Sequence, residues 1–302
     1  MNAPVPNPAH YRYSPLPSRP QGRWPGGARL AVVVCVGVES YRFGEGHAED
    51  VLADVAAPDV VNTAWRDYGN RVGAFRLFER LERLGIPPTV LLNTDVYDEA
   101  PDVLVAARAA AAEIVGHGRS NSDTLAEMSA TAQRAYLADV ADRIRVEEGL
   151  APGGWSSPWL TQTSDTLNLL ADNGYRYLLD LRLDDQPVWL TTAAGPLLAI
   201  PYAAELNDSS TMIGRSVSPR AFAEMIDDEF TELHAGAEHH PLVMSVVLHS
   251  FISGAPFRLG PIARALERIA ATDGVWLTTP REIHRAVVAS PQLFPMPVEA
   301  TR

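Results

Sequence analysis

Short, almost wholly apolar runs alternate along the chain with longer segments whose apolar positions recur every three or four residues. The run over 30–38 contains no charged residue, and the run over 242–248 contains a single polar one. Continuous apolar runs are typical of strands buried on both faces, and the periodic segments are typical of helices that cover a sheet. The alternation therefore predicts parallel strands joined by crossover helices, an α/β fold.

The same pattern predicts the individual elements. Strands are expected over 30–38, 89–93, 113–116, 175–183, 242–248 and 275–277, a hairpin over 189–203, and helices over 71–84, 124–148, 164–173 and 260–271 and from residues 101, 219 and 280. A long loop is expected over about 40–68, and Val72, Phe75 and Phe78 are expected on the buried face of the helix that follows. Six or seven strand–helix units without a break in composition indicate one closed or nearly closed barrel over residues 30–290. A proline-rich arm, residues 1–29, precedes it and a tail, residues 291–302, follows it.

Charge and composition narrow the classes of partner. The 302 residues include 25 Lys and Arg against 37 Asp and Glu, a formal charge of −12, and no basic run. Nucleic acids and anionic membrane surfaces require a positive patch, so a small or weakly charged ligand is expected instead. No apolar stretch reaches the roughly 20 residues of a membrane span. The arm could also pack on a neighbouring subunit of a homo-oligomer.

The lone cysteine and the first residues bear on the compartment. Cys35 lies within an apolar run, which is typical of a small buried hydrophobe rather than a catalytic thiol. No disulfide can form within the chain, and the first 29 residues lack the features of a secretory signal peptide. The sequence therefore predicts a cytoplasmic protein.

Candidate chemistry lies where the predicted strands end. Glu39 follows the first strand, His117 follows the third, and His249 follows the run over 242–248. Catalytic groups in barrels of parallel strands sit at the carboxyl ends of the strands, so these side chains are expected to converge. An imidazole at the mouth of a buried strand suits a general acid or base at neutral pH, although a structural histidine is the alternative. Asn121 could offer its amide oxygen to a metal or to a substrate amide.

Several short motifs occur in order over about residues 24–288. They are Trp24-Pro25 and the following GGARL, YGNRVG at 68–73, EIVGHG at 113–118, GWSSPW at 154–159, DDQP at 184–187, and Leu248-His249. Together they resemble the polysaccharide deacetylase (NodB-homology) family, and more closely its branch of metal-independent allantoinases and related cyclic amide hydrolases. The resemblance implies a distorted (β/α)7 barrel, similar to a TIM barrel, and hydrolysis of a non-peptide carbon–nitrogen bond.

The chain departs from the pattern of the classical deacetylases at the metal site. Those proteins end the first strand with two aspartates, whereas this chain offers Glu39 alone, and their His-x3-His pair falls here on His117 and Asn121. Their arginine-x-proline-aromatic motif falls on residues 156–159, where the arginine is missing, and Leu-His is retained at His249. An Asp-His-His zinc site is therefore incomplete, and amide oxygen is a poor ligand for zinc.

The leading hypothesis is a hydrolase of amide, cyclic amide or ureide bonds. Glu39 acts as general base, His249 as general acid, and His117, Arg119 and Asn121 hold the substrate carbonyl or the oxyanion. Further substrate-binding candidates are Trp155, Trp159, Tyr202, Asp184 and Arg71. One alternative is an N-deacetylase of N-acetylated carbohydrates with a divalent Zn, Mn or Fe ion on Glu39, His117 and Asn121. The other is an inactive barrel that only binds its ligand.

Overall fold

The computed structural model describes residues 10–296. Within them the chain forms nine strands: β1 Leu30–Val38, β2 Pro88–Leu92, β3 Glu113–Gly116, β4 Gly154–Trp155, β5 Tyr177–Leu178, β6 Val188–Thr192, β7 Gly195–Ala199, β8 Leu242–His249 and β9 Val275–Leu277. The α-helices of this region are α1 Val60–Tyr68, α2 Ala74–Arg83, α3 Val96–Glu99, α4 Pro101–Ala109, α5 Ala130–Glu148, α6 Thr166–Asp172, α7 Pro219–Gly236, α8 Pro256–Ala270 and α9 Pro280–Ala289.

The strands form one curled sheet with helices outside it. Their order is β6-β7-β5-β4-β3-β2-β1-β8, and β9 pairs with the first residues of β1. All pairs are parallel except the β6–β7 hairpin. The predicted α/β class and barrel-type fold are confirmed, with the sheet curled as a half-barrel.

Alternate residues of β1 face opposite layers of the core. Leu30, Val32 and Val34 pack with the covering helices, whereas Ala31, Val33 and Cys35 pack among residues of other strands inside the curl. Burial raises the pKa of the Cys35 thiol well above its usual value, which agrees with the predicted small hydrophobe. Because the period of a strand is two, the inward face continues through Gly37 to Glu39.

The predicted loop over 40–68 is wrong in its last third, where α1 forms. Asp59 caps this helix by accepting the backbone N–H of Asn62 at 2.9 Å. The side chains that α1 buries are polar ones, Asn62 and Arg66, so the helix has no apolar stripe for sequence analysis to detect.

The predicted buried face of the next helix is wrong at Val72 and Phe75 but right at Phe78. A π-helical turn, Gly69–Gly73, connects α1 to α2, and the extra residue in such a turn rotates the face that follows. Val72 and Phe75 are therefore partly exposed, at 38% and 36%, while Leu77 and Phe78 are buried. The strand predicted over 175–183 is shorter as well, because only Tyr177–Leu178 pairs with neighbouring strands.

The described part of the predicted arm lies on the body of the protein. The Arg19 guanidinium donates to both oxygens of Asp184, at 2.7 and 2.5 Å, and buried Trp24 donates its indole N–H to the Leu242 carbonyl at 2.7 Å. The ends of the predicted arm and tail, 1–9 and 297–302, lie outside the described residues. No helix within 10–296 is long and apolar enough to cross a membrane.

Candidate active site

Three strand ends bring Glu39, His117 and His249 together. The Glu39 Oε1 atom lies 3.5 Å from His117 Nε2 and 3.3 Å from His249 Nε2. Gly37 makes room for this cluster, since a Cβ atom there would lie 2.9 Å from the His249 ring and 3.2 Å from Glu39 Oε1. The convergence predicted from the sequence is therefore present in the structure.

Glu39 is a buried carboxylate that is held at both oxygens. Its Oε2 atom accepts the Tyr41 hydroxyl at 2.6 Å and the Asn121 amide at 3.1 Å, which leaves Oε1 to face the two imidazoles. Burial would raise the pKa of Glu39, but the neighbouring His249 and His117 together lower it well below its usual range. The side chain is therefore an ionised acceptor.

His249 is oriented by a buried aspartate. Its Nδ1 atom lies 2.5 Å from Asp208 Oδ1, and the other Asp208 oxygen accepts the His249 backbone N–H at 2.8 Å and the Ser253 hydroxyl at 2.5 Å. Burial would lower the pKa of His249, but the carboxylates of Glu39 and Asp208 raise it well above its usual value. The two carboxylates thus favour the protonated ring, in which Nε2–H points towards Glu39 Oε1.

His117 is fixed by a backbone carbonyl. Its Nδ1 atom lies 2.8 Å from the Ser156 carbonyl oxygen, which can only accept, so Nδ1 carries a hydrogen. In the neutral ring Nε2 is then an acceptor directed at the Glu39 side of the site. Asn70 supports the same region by donating to the Glu39 carbonyl at 2.7 Å.

Two π-helical turns flank the site. Gly69–Gly73 carries Asn70, and Ser209–Ile213 begins directly after Asp208. Turns of this kind are frequent at functional sites.

A strap, residues 40–50, crosses the mouth of the site. The backbone N–H of His47 donates to the Ser122 carbonyl at 3.1 Å on one side. On the other side the Ser209 hydroxyl lies 2.8 and 2.9 Å from the two Glu49 carboxylate oxygens. Burial raises the pKa of Glu49 despite the nearby His249. The strap encloses the catalytic candidates, whose side chains are only 1% (Glu39), 6% (His117) and 10% (His249) exposed.

Some predicted substrate-binding residues lie close to this cluster. Asn121 contacts Glu39 directly, and the Trp159 indole donates to the Asn121 backbone carbonyl at 2.6 Å, although Trp159 as a residue is 38% exposed. Tyr202 is buried among the inward-facing side chains that include Cys35.

The structure does not bring the other predicted residues to the site. Trp155 is wholly buried against Tyr175 and so cannot wall a pocket. The Arg119 guanidinium lies 4.8 Å from the centre of the Tyr136 ring, and Asp184 is paired with an arginine of the arm. Arg71 is exposed on the π-helical turn.

Sequence analysis missed two members of the site, Tyr41 and Asp208. Tyr41 lies two residues beyond Glu39, where the inward alternation of β1 provides a weak signal. Asp208 lies in a loop that the sequence marks only as polar, and its pairing with His249 spans 41 residues.

The proposed metal ligands do not fit a metal ion in this arrangement. Asn121 directs its NH2 group, a donor, at Glu39 and Tyr41, because the Glu39 carboxylate can only accept. The amide oxygen, the only atom of that side chain able to bind a metal, is therefore turned away from the carboxylate. Among residues 10–296, no group of three or more His, Cys, Asp or Glu side chains is placed to hold a metal ion.

Comparisons with known proteins agree with this fold. No protein-family model matches the chain. A predicted polysaccharide deacetylase of Schizosaccharomyces pombe is 23% identical over 297 residues, covering 87% of this chain and 91% of the relative. The chain is similar in sequence to polysaccharide deacetylases.

Solved structures extend this resemblance to nearly the whole fold. The structure of a predicted polysaccharide deacetylase from Pseudomonas aeruginosa PAO1 superposes with a TM-score of 0.81 at 24% identity, covering 92% of this chain and 96% of that one. The Puue allantoinase superposes with a TM-score of 0.82 at 25% identity, covering 90% and 94%. The resemblance predicted from the sequence is confirmed, including the likeness to an allantoinase.

Proposed function

We propose that this polysaccharide deacetylase-like chain hydrolyses the carbon–nitrogen bond of a small amide, with a cyclic amide or ureide as the preferred class of substrate. The resemblance to deacetylases and to an allantoinase supports a hydrolase of non-peptide carbon–nitrogen bonds. The observation that carries the proposal is the Glu39–His249–Asp208 arrangement, in which an ionised carboxylate faces an imidazolium at 3.3 Å inside an enclosed site.

Glu39 and His117 are suited to position the attacking water. Glu39 Oε1 and His117 Nε2 are 3.5 Å apart, so one water molecule can donate a hydrogen to each. Glu39 takes the proton as the water oxygen bonds to the substrate carbonyl carbon. General base catalysis of this kind contributes about 10²–10⁴ in rate.

His249 is suited to protonate the leaving nitrogen. As the carbon–nitrogen bond breaks, the Nε2 proton passes to that nitrogen, and Asp208 stabilises the ring in the correct orientation. Glu39 then holds the proton that His249 has lost. The 3.3 Å separation allows this proton to return from Oε1 to Nε2, which restores both groups for the next reaction.

Enclosure favours a small substrate over a polymer. A polysaccharide needs an open groove that accommodates sugar units on both sides of the reacting group. Here the strap covers the strand ends, and the side chain of the general base is 1% exposed.

The experiment is a substrate panel with matched variants. Wild type and His249→Ala are assayed for ring opening of allantoin and dihydropyrimidine-type ureides, and for acetate release from N-acetylglucosamine oligomers. We expect ring opening by the wild type and a loss of at least about 10²-fold in the variant. Full activity of His249→Ala would remove this assignment.

The panel also separates the two other candidates. Acetate release that depends on added Zn, Mn or Fe would favour the N-deacetylase. This candidate is tested because the chain is similar in sequence to a polysaccharide deacetylase. Binding of a ureide without turnover would favour the inactive barrel.

A further inference from the structure

Asn121 carries a buried hydrogen-bond acceptor with no partner in the protein. The residue is 4% exposed, and its Oδ1 atom receives no hydrogen bond. A buried acceptor without a donor is costly, so an acceptor left free at the edge of a reaction centre points to a ligand that supplies the missing hydrogen.

The orientation of this amide is determined by its neighbours. The Asn121 Nδ2 atom lies 3.1 Å from Glu39 Oε2 and 2.8 Å from the Tyr41 hydroxyl oxygen. The Glu39 carboxylate accepts only, and the Tyr41 hydroxyl already donates to it, so both contacts require the NH2 group. The NH2 end of the amide therefore faces Glu39 and Tyr41, and Oδ1 is the free atom.

The position of Asn121 links this acceptor to the reacting atoms. Oδ1 and Nδ2 are bonded to the same carbon, so Oδ1 lies within the length of a small molecule from the Glu39 carboxylate. The backbone on the other side is held by the Asn121 N–H to Ser40 carbonyl bond at 2.8 Å and by the Trp159 indole. The side chain therefore cannot rotate to satisfy Oδ1 without losing its bonds to Glu39 and Tyr41.

We propose that Asn121 determines substrate specificity by accepting a substrate N–H through Oδ1. This inference rests on the proposed function and refines it, since it selects amides and ureides that retain a free N–H beside the scissile bond. Tertiary amides would bring a methyl or methylene group against Oδ1 and leave the acceptor unpaired. The role differs from an oxyanion donor, because Oδ1 can only accept a hydrogen bond.

The test compares an N–H substrate with its N-methyl analogue. Hydantoin and its two mono-N-methyl derivatives are assayed for ring opening by wild type, Asn121→Ala, Asn121→Asp and Tyr41→Phe. We expect the wild type to favour hydantoin over one methyl isomer by about 10- to 100-fold in kcat/KM. In Asn121→Ala this preference falls to within about threefold, because the acceptor is gone and the methyl group has space.

The other two variants separate specificity from support of Glu39. Asn121→Asp keeps an oxygen acceptor, so it retains the preference although its overall rate falls beside the Glu39 charge. Tyr41→Phe removes a hydrogen bond to Glu39 but leaves Oδ1 in place, so it also retains the preference. A preference that is unchanged in Asn121→Ala, or lost equally in Tyr41→Phe, would overturn the inference.

A binding measurement keeps the inference separate from turnover. If the wild type opens no ureide ring, the proposed function fails, and the same ratios are measured as dissociation constants by calorimetry. Binding that discriminates the N-methyl isomer through Asn121 would then support the inference alone. Failure of the wild type to bind hydantoin or its derivatives would overturn it.

Discussion

Replacing Asp208 with Asn tests whether the orientation and charge of His249 matter for the reaction. The substitution keeps the size of the side chain but removes the carboxylate that contacts His249 twice, at the ring Nδ1 and at the backbone N–H. An asparagine can also place its NH2 group against Nδ1, which would favour the wrong tautomer of the ring.

The size of the effect follows from the hydrogen bonds lost. A hydrogen bond to a charged group contributes about 1.5–3 kcal/mol, and 1.4 kcal/mol corresponds to a factor of ten. Loss of the charged ring contact alone should therefore lower kcat/KM by about 10- to 150-fold. The Asp208 charge helps to raise the pKa of His249. The pKa of His249 should therefore be lower in Asp208→Asn, so that the ring loses its proton at lower pH. The basic limb of the kcat/KM profile should move towards lower pH.

The assay measures kcat/KM against pH for wild type, Asp208→Asn and Ser253→Ala on the substrate that the panel identifies. Ser253→Ala is the control, since it removes a bond to Asp208 at 2.5 Å but leaves the carboxylate and its contacts with His249. Ser253→Ala should lose less kcat/KM than Asp208→Asn. The basic limb of its kcat/KM profile should not move. Thermal unfolding checks that each variant is folded. An Asp208→Asn enzyme with wild-type kcat/KM and an unmoved basic limb would refute the reasoning.

Three further predictions concern metal content, packing and pH. Protein purified without added metal should contain substoichiometric transition metal and keep its activity in a chelator, because the Asn121 amide presents its donor group to Glu39. Elemental analysis and an activity assay after chelation check this. Gly73→Ala should destabilise by at least about 1–3 kcal/mol, since its Cβ would lie 1.9 Å from the Ser250 carbonyl oxygen. Gly260→Ala on helix α8 should be neutral or stabilising in denaturant unfolding, since the nearest atom to its Cβ would be an Arg264 side-chain nitrogen at 3.8 Å. Burial, with a smaller effect of a nearby arginine, lowers the pKa of His284 from 6.5 to about 4, so the unfolded chain binds more protons between these values. Stability should fall by roughly 1–2 kcal/mol as pH decreases through this range, after allowance for partial exposure, and the decrease should be smaller in His284→Gln.

Local pattern was sufficient for three strands, of which β1 and β3 are fully buried and β9 is half-buried. The bounds of β1, β3 and β9 agree with the prediction, because each is a short apolar run between polar or glycine-containing segments. The same argument located Glu39 and His249, since parallel strands must end at one edge of the sheet. Local pattern failed for α1, whose buried positions are polar and satisfied by capping and long-range hydrogen bonds.

The sequence by itself determined the fold class, the resemblance to deacetylases and three of the groups that meet at the strand ends. Only the tertiary structure decided what surrounds them. Asp208 reaches His249 from a loop 41 residues away, and the Glu39 carboxylate directs the Asn121 amide so that its oxygen stays free. The position of a strand follows from the pattern of apolar and polar residues at consecutive positions. The direction of a hydrogen bond depends on which donors and acceptors the folded chain brings within about 3 Å, and no local pattern encodes that.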